Sequence, residues 1–266
     1  MNEHEIRDLL DDVTAGRLSR RGFVQLLAGC GVSAVLASQM LAATGIAQAQ
    51  PRPASMPAKR GGGGQLKALW WDAPVSLNPI LAVGLKDWNA CSVFYEPLVS
   101  FDPQANMVPV LAREVPSVKN GGLAKDGTSV TWKLKPGVYW HDGKPFTARD
   151  VVFNWEYTAD PATGSPAGGV YRNVKQVEAL DPLTVKFSFT QPTPYWIMTG
   201  SIIPRHVFEP YKGAKSREAP SNLKPVGTGP YRFVDFKPGD LLKAELNPAY
   251  HVANRPFFDT LEIKGG

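Results

Sequence analysis

The sequence predicts a mixed α/β fold built from short strands and few helices. Two segments, 129–134 and 183–189, alternate apolar and polar residues with a period of two, which is typical of half-buried β-strands. A third segment, beginning at Thr147, has the signals of a helix N-terminus. The 266 residues also include 24 prolines and 25 glycines, and this abundance favours many short strands and turns over a helical bundle.

The most regular stretch contains the first of these strands, which places Val130, Trp132 and Leu134 on one face. A Lys-Pro-Gly turn ends it, because proline fixes φ and glycine accepts positive φ. A second short strand is predicted at 138–140. The stretch therefore begins with two strands joined by a tight turn.

A helix is predicted to follow. Thr147 is a suitable N-cap, and Asp150, three residues later, completes a capping box. The pair Asp160-Pro161 ends the helix, because proline cannot continue it.

The other elements are predicted from the same two periodicities. A strand at 65–72 has apolar residues on both faces, which predicts that it is buried. The remaining predictions are a helix at 85–94, a polar connection at 102–109, a hairpin at 174–189, a short helix at 205–211, a hairpin at 231–246 and a last strand containing Leu261 and Ile263.

Residues 1–49 are predicted to be an export signal. Arg20 and Arg21 form a twin-arginine motif, an Ala/Gly-rich apolar run follows, and an Ala-x-Ala site predicts cleavage after Ala49. The expected partner is the twin-arginine export machinery, and the expected destination is the periplasm. An alternative is a lipobox ending at Cys30, which would become a lipid anchor.

Two segments flank the signal's apolar run. Before the arginines, Ile6, Leu9, Leu10 and Val13 would share one side of a short amphipathic helix. After the cleavage site, residues 50–64 contain three prolines and four consecutive glycines, and they are predicted to be a linker because they cannot bury a core.

Composition excludes several functions. The net charge of +5 is scattered without a Lys/Arg run, so no nucleic-acid partner is expected. Cys91 is expected to be a small buried hydrophobe. His141-Asp142 is expected to be an exposed turn, and His206 and Glu209 a solvated helix face. With no Ser/His/Asp order and no Gly-x-Ser-x-Gly, the sequence predicts no enzyme, metal or cofactor.

Four segments together carry a resemblance to a known family. They are SLNP at 76–79, YEPLVSFDP to VPVLA at 95–112, GTSVTWKLKPGVYWHDGKPFTARDVVFNW at 127–155 and PVGTGPYRF at 225–233. From residue 65 onward the chain resembles the periplasmic peptide-binding proteins of ABC importers, the peptide/nickel family of extracellular solute-binding proteins. The order and spacing of all four segments make the resemblance specific.

The resemblance implies a lobe of the type II periplasmic-binding-protein fold. Residues 65–97 and 205–266 would form the first lobe, and residues 98–204 a small β-rich domain inserted into it. In the resembled family the chain continues into a second lobe. The sequence is therefore expected to be an N-terminal portion, with the first lobe incomplete and the second missing.

The resemblance also implies a ligand site. In peptide-binding relatives an extended ligand pairs with main chain just after the SLNP segment, which here is Val83 to Leu85. The Gly-Thr-Gly of 227–229 allows close backbone approach, either to a ligand or as a tight connection between lobes. Aromatic side chains would form either walls of the site or core. The candidate ligand-binding residues are Val83, Gly84, Leu85, Trp88, Trp140, Thr228, Gly229 and Tyr231.

The function implied is the delivery of peptides or similar small solutes to the permease subunits of an ABC transporter in the inner membrane. Nickel chelates, oligosaccharides or opines are alternative solutes for this kind of protein. A truncated product that binds nothing is the alternative from another class.

Overall fold

The computed structural model describes residues 3–15, 17–30, 59–197 and 200–265. It consists of two compact units, Met1–Met56 and Pro57–Gly266. The predicted cleavage site after Ala49 lies outside the described residues. Among the described residues, no helix combines the length and the apolar character needed to cross a bilayer.

The first unit contains a helical hairpin of α1 (Glu3–Thr14) and α2 (Arg20–Gly29). Val13, Phe23 and Leu27 are buried between the two helices. The predicted amphipathic helix is confirmed, since the apolar side of α1 packs in this small core.

A four-stranded sheet is the main element of the second unit. Its strands are β1 (Gln65–Trp70), β7 (Tyr231–Lys237), β8 (Leu241–Leu246) and β9 (Thr260–Gly265), in the order β1-β9-β8-β7. β1 runs parallel to β9, and the other pairs are antiparallel. The predicted hairpin at 231–246 and the predicted last strand are therefore confirmed.

The prediction that the first strand is buried was wrong. Among the described strands β1 lies at the edge of its sheet, beside β9, and Leu69 is 78% exposed. The apolar residues on both faces misled the prediction, because among the described residues nothing covers the face that carries Leu69 and Trp71, which is 81% exposed.

The small sheets lie in the segment 98–204. β4 (Ser129–Lys133), β5 (Val174–Asp181) and β6 (Thr184–Phe189) form a three-stranded antiparallel sheet in the order β4-β6-β5, as predicted for these segments. β2 (Val99–Phe101) and β3 (Met107–Pro109) form a hairpin where a polar connection was predicted.

The second short strand predicted at 138–140 is absent. This part of the chain makes only an isolated bridge between Tyr139 and Pro145. Val138 and Trp140 are nevertheless buried, as their shared apolar pattern suggested. The alternation predicted the buried side chains correctly, but the turn at 141–144 leaves too few residues for a ladder of β-sheet hydrogen bonds.

Three α-helices lie in the described residues of the second unit. α3 (Leu85–Cys91) ends earlier than predicted, and α5 (Arg205–Phe208) continues into a short 3-10 turn at Glu209–Tyr211. α4 (Ala148–Ala159) begins with the predicted capping box. The N–H of Thr147 donates a hydrogen bond to the carboxylate of Asp150 at 2.8 Å, which satisfies a group that the helix itself leaves free.

The second unit has two hydrophobic clusters. All buried residues of the first lie between Leu98 and Ile202. The second contains residues on either side of that segment, together with Phe153 and Tyr157 of α4. Since Val151 of α4 belongs to the first cluster, this helix is part of both. Domain boundaries at 97/98 and 204/205 remain a prediction.

Residues 59–64, the last part of the predicted linker, are hydrogen-bonded to the rest of the second unit. The guanidinium of Arg60 donates hydrogen bonds to the carbonyls of Pro248, Tyr250 (2.6 Å) and Val252 (2.9 Å). The N–H groups of Gly62 and Gly64 donate to the carboxylate of Asp259 at 2.7 and 3.1 Å. The glycines need no side chains of their own for this docking, because their N–H groups bind Asp259 and Arg60 binds the neighbouring carbonyls.

Candidate functional site

The segment Val83–Trp88 is an exposed apolar stretch at the start of α3. Val83 is 68% exposed, Leu85 65% and Trp88 51%. Gly84 has φ +87°, in the left-handed region that favours glycine. One large apolar side chain in solvent needs no explanation, but three within six residues mark a surface suited to contact.

The main chain of this segment is free to make hydrogen bonds. Within the residues described, neither the N–H nor the carbonyl of Val83 has a hydrogen-bond partner, and the N–H of Gly84 has none. The carbonyl of Gly84 accepts the N–H of Trp88 at 3.3 Å, inside the first turn of α3. An extended ligand could therefore pair with Val83 as a strand pairs with an exposed edge.

A groove of about 500 Å³ lies beside Val83. Its floor is held by Asp87, whose carboxylate accepts the N–H groups of Val75 at 2.8 Å and Ser76 at 3.2 Å. The residues that line the groove are Val75, Ser76, Leu81, Val83, Asp87, Arg217, Glu218, Ala219, Pro220, Asn222 and Leu223.

The two sides of the groove are fixed to each other. The side-chain amide of Asn78 donates to the side-chain oxygen of Asn222 at 2.8 Å, and the N–H of Leu77 donates to the carbonyl of Asn222 at the same distance. Asn78 is fully buried. The SLNP segment is thus hydrogen-bonded across the groove to Asn222, and these bonds set the width of the groove.

The Gly-Thr-Gly loop packs against the end of the α3 segment. The N–H of Gly229 donates to the carbonyl of Phe94 at 2.7 Å, and a Cβ at Gly227 would overlap that same carbonyl oxygen. The glycines therefore serve close packing of main chain on main chain. A role of this loop in ligand binding, or as a connection between lobes, stays a prediction.

The predicted turn is present and exposed from Asp142 to Lys144, but His141 itself is partly buried and hydrogen-bonded. Its Nδ1 accepts the N–H of Gly227 at 3.1 Å, and its Nε2 lies 3.0 Å from the carbonyl of Gly229, to which it donates. Burial lowers the pKa of His141 to about 4. The neutral imidazole, with one acceptor and one donor, is the form that fits this loop.

Glu96 is a buried carboxylate that the sequence analysis did not identify. It is 5% exposed and accepts hydrogen bonds from the hydroxyls of Thr228 (2.9 Å) and Tyr250 (2.8 Å), while Nε2 of His251 lies 2.9 Å away. Burial, followed by the charge of Glu96, raises the pKa of Tyr250. The partners of Glu96 are up to 155 residues distant in the chain. No spacing pattern in the sequence could therefore predict this cluster of polar side chains.

The predicted ligand-binding residues fall into two sets. Val83, Gly84, Leu85 and Trp88 share one exposed surface. Trp140 and Tyr231 are buried in the two hydrophobic clusters, Thr228 is bonded to Glu96, and Gly229 lies against Phe94. The second set supports the fold and offers little surface to a ligand.

The polar pairs considered in the sequence also have structural partners. His206 is not simply solvated, because its Nε2 lies 2.6 Å from the carboxylate of Asp142. Burial raises the pKa of the Cys91 thiol, which therefore stays protonated, as expected of a small hydrophobe. Within the described parts of the chain, no three His, Cys, Asp or Glu side chains come together as a metal site.

The sequence of this chain is similar to that of a known protein family. Residues 106–265 match the family model "Bacterial extracellular solute-binding proteins, family 5 Middle". The chain is 30% identical over 187 residues to the glutathione-binding protein GsiB of Pectobacterium atrosepticum, covering 70% of this chain and 35% of that one. It is 29% identical over 196 residues to the oligopeptide-binding protein AppA of Bacillus subtilis, covering 72% and 35%.

Solved structures agree in fold. The ABC transporter substrate-binding protein CtaP of Listeria monocytogenes has a TM-score of 0.67 at 31% identity, covering 78% of this chain and 41% of that one. AppA of Bacillus subtilis, in complex with a nonapeptide, has a TM-score of 0.71 at 26% identity, covering 79% and 41%. The predicted mixed α/β fold of a periplasmic binding protein is therefore confirmed.

The chain spans about a third of the length of the curated relatives, 35% of each of the two named above. The family model covers more than half of this chain, and the relatives and structures agree with it. The chain belongs to the bacterial extracellular solute-binding proteins of family 5.

Proposed function

We propose that this chain contributes one wall of a solute-binding cleft, which takes extended peptides or similar small solutes at Val83–Leu85 for delivery to an ABC permease. The observation that carries the proposal is the free main chain of Val83 and Gly84 beside a groove of about 500 Å³. Main-chain hydrogen bonds do not depend on the side chains of the ligand, so one such wall can bind many peptide sequences.

The names of the relatives support peptides as ligands. GsiB is named for glutathione, and the AppA structure contains a nonapeptide. Neither chain is covered by more than 41%, so the solute of this protein is inferred from the wall and not from its relatives alone.

A non-peptide solute is the second candidate. NikZ of Campylobacter jejuni, solved in complex with Ni(L-His), has a TM-score of 0.66 at 26% identity. A metal–histidine chelate has fewer main-chain groups than a peptide to pair with Val83. Protection of the Val83 amide by a peptide, and not by a metal–histidine chelate, would separate the two candidates.

The affinity of the 266-residue chain for peptide is expected to be weak. Val83 is 68% exposed, and each hydrogen bond left open to water contributes about 1 kcal/mol or less. Association itself costs at least about 4 kcal/mol. The expected Kd for a tripeptide is therefore about 1 mM or higher.

Titration of the ¹⁵N-labelled chain with trialanine tests the proposal. The amides of Val83, Gly84 and Leu85 should shift in a saturable way. Gly84→Val should abolish these shifts, because a β-branched residue strongly disfavours φ +87° and the main chain must turn. Gly143→Val is the matched control, since Gly143 has φ +86° and equally open surroundings.

Three outcomes would overturn the proposal. Shifts confined to other surfaces would show that the wall at Val83 is not the site. Binding that survives Gly84→Val and is lost in Gly143→Val would show the same. Absence of any saturable shift at tens of millimolar trialanine would favour a product that binds nothing.

We further propose that the protein is exported through the twin-arginine machinery to the periplasm, with residues 98–204 as the inserted domain. Arg20 and Arg21 stand at the start of α2, and Cys30, the alternative lipid site, is exposed just after this helix. Changing both arginines to lysine should leave the precursor in the cytoplasm, as measured by fractionation. Cys30→Ser should not change the fractionation, whereas release from the membrane fraction would favour the lipid anchor.

A further inference from the structure

A second cavity lies at the end of the β5–β6 hairpin, among residues that do not belong to the groove at Val83. Its volume is about 410 Å³, within the range of small-molecule sites, about 300–1,000 Å³. Five aromatic side chains line it: Tyr171, Phe187, Phe189, Tyr195 and Trp196.

The cavity arises from the way the hairpin ends. Val174 of β5 pairs with Phe189 of β6, and the register shifts between Val174 and Gln176, so that the strand bends away from its partner. The carbonyl of Asn173 accepts the N–H of Thr190 at 2.9 Å, which holds the two strands together beyond the bend. The space between the bend and the following turn remains open.

An exposed aromatic ring covers one side of this space. The residues Pro194–Ile197 form a 3-10 turn, and the hydroxyl of Thr193 accepts the N–H of Tyr195 at 3.1 Å. Trp196 is held by contact with Trp132, with ring centroids 5.8 Å apart. Tyr195 is left 67% exposed at the cavity, an arrangement suited to stacking on a flat ligand.

Arg172 is the one charged side chain among the residues that line the cavity. Its Nε donates to the carbonyl of Gly169 at 3.0 Å, which fixes the direction of the guanidinium. The two terminal NH₂ groups make no hydrogen bond within the described residues. A guanidinium oriented in advance, with free donors, is suited to bidentate binding of a carboxylate.

We propose that this cavity binds a small aromatic carboxylate, with its ring between the aromatic walls and its carboxylate on Arg172. Charge complementarity decides the class, since no acidic residue lines the cavity to oppose an anion. The side chain of Asn173 offers a further donor at the same edge. This site is separate from solute delivery and does not depend on it.

Ligand-detected NMR with the 266-residue chain tests the site, using 2-naphthoate as the probe, 2-naphthamide as its neutral counterpart and acetate as the charge without the ring. Naphthoate should bind with a Kd of about 1 mM or tighter. Naphthamide should bind about 10-fold more weakly, because the charge-assisted pair is lost. Acetate should show no saturable binding.

Three variants locate the binding. Arg172→Gln should weaken naphthoate about 10-fold and leave naphthamide unchanged. Lys175→Gln, which removes an exposed cation of β5 outside the cavity, should change neither. Val170→Trp, at a side chain that is partly exposed on the cavity wall, should block both probes while the circular dichroism stays that of the parent.

Several results would overturn the proposal. Equal affinity for naphthoate and naphthamide, or an unchanged Kd in Arg172→Gln, would remove the anion preference. Full binding to Val170→Trp would place the probe elsewhere. A concentration-dependent dimer that Val170→Trp abolishes would show that the cavity is occupied by a second copy of the chain.

Discussion

Replacement of Glu96 should destabilise the protein far more than replacement of an exposed glutamate. Glu96 is buried and accepts hydrogen bonds from Thr228 and Tyr250, with His251 as a third partner. In Glu96→Ala these groups stay buried without an acceptor. Each buried group left unsatisfied costs about 1–3 kcal/mol, and breaking a buried charged network by removing one member costs about 3–5 kcal/mol.

Glu156 provides the matched control. Its carboxylate also binds a cation, Lys212 at 2.7 Å, but these two side chains are 42% and 38% exposed. An exposed pair of this kind contributes about 1 kcal/mol or less, and alanine suits the helix in which Glu156 lies. Glu156→Ala should therefore leave the free energy of unfolding within about 1 kcal/mol of the parent.

Urea unfolding followed by tryptophan fluorescence measures the difference. The expected loss is about 3–5 kcal/mol for Glu96→Ala, with Glu96→Gln intermediate because the amide keeps one acceptor. Should Glu96→Ala fail to fold, the glutamine variant still tests the order. Equal stability of Glu96→Gln and Glu156→Ala, or a loss below about 1 kcal/mol in Glu96→Ala, would refute the reasoning.

Three further predictions concern stability and local order. Arg60→Ala should speed the exchange of the amides at 61–64 without changing those of β6, as measured by hydrogen exchange; equal rates in variant and parent would show that Arg60 does not hold the glycine run. Amides of the edge strand β1 should exchange faster than those of β6, the central strand of its sheet, and the reverse order would contradict the edge position. The folded pKa of His141, about 4, lies below its ordinary value of 6.5, so the unfolded chain binds the proton first and stability is lost as the pH falls from about 6.5 to about 4. His141→Gln should reduce this loss in urea titrations at several pH values, and an unchanged pH profile would show that His141 does not cause it.

The parts of the fold that depend on neighbouring residues were predictable from the sequence. The capping box of Thr147 and Asp150 and the alternation around Trp132 each lie within one turn or strand, where spacing determines geometry. The segment beginning at Val83 was singled out from the resemblance and not from periodicity; it is exposed, and its role in ligand binding stays a prediction.

The parts that depend on distant residues were not predictable. The glycine run at 61–64 has the composition of a linker. Its docking depends on the carboxylate of Asp259, almost 200 residues later, which accepts hydrogen bonds from the N–H groups of Gly62 and Gly64. The edge position of β1 depends on which strand lies beside it, and a single strand's pattern does not record this. Glu96 gave no local signal, because its partners are brought to it only by the complete fold.

Helix α4 has a consequence for how this protein can be rearranged. Its residues Phe153 and Tyr157 complete the cluster formed by the chain on either side of 98–204, and the ring of Tyr157 meets that of Phe208 with centroids 5.9 Å apart. Excising 98–204 and joining the ends would remove these two aromatic side chains and the buried Ile203, and would leave a hole in what remains. The segment is thus no detachable module, and any recombination that exchanges it between relatives must carry matching residues at both positions.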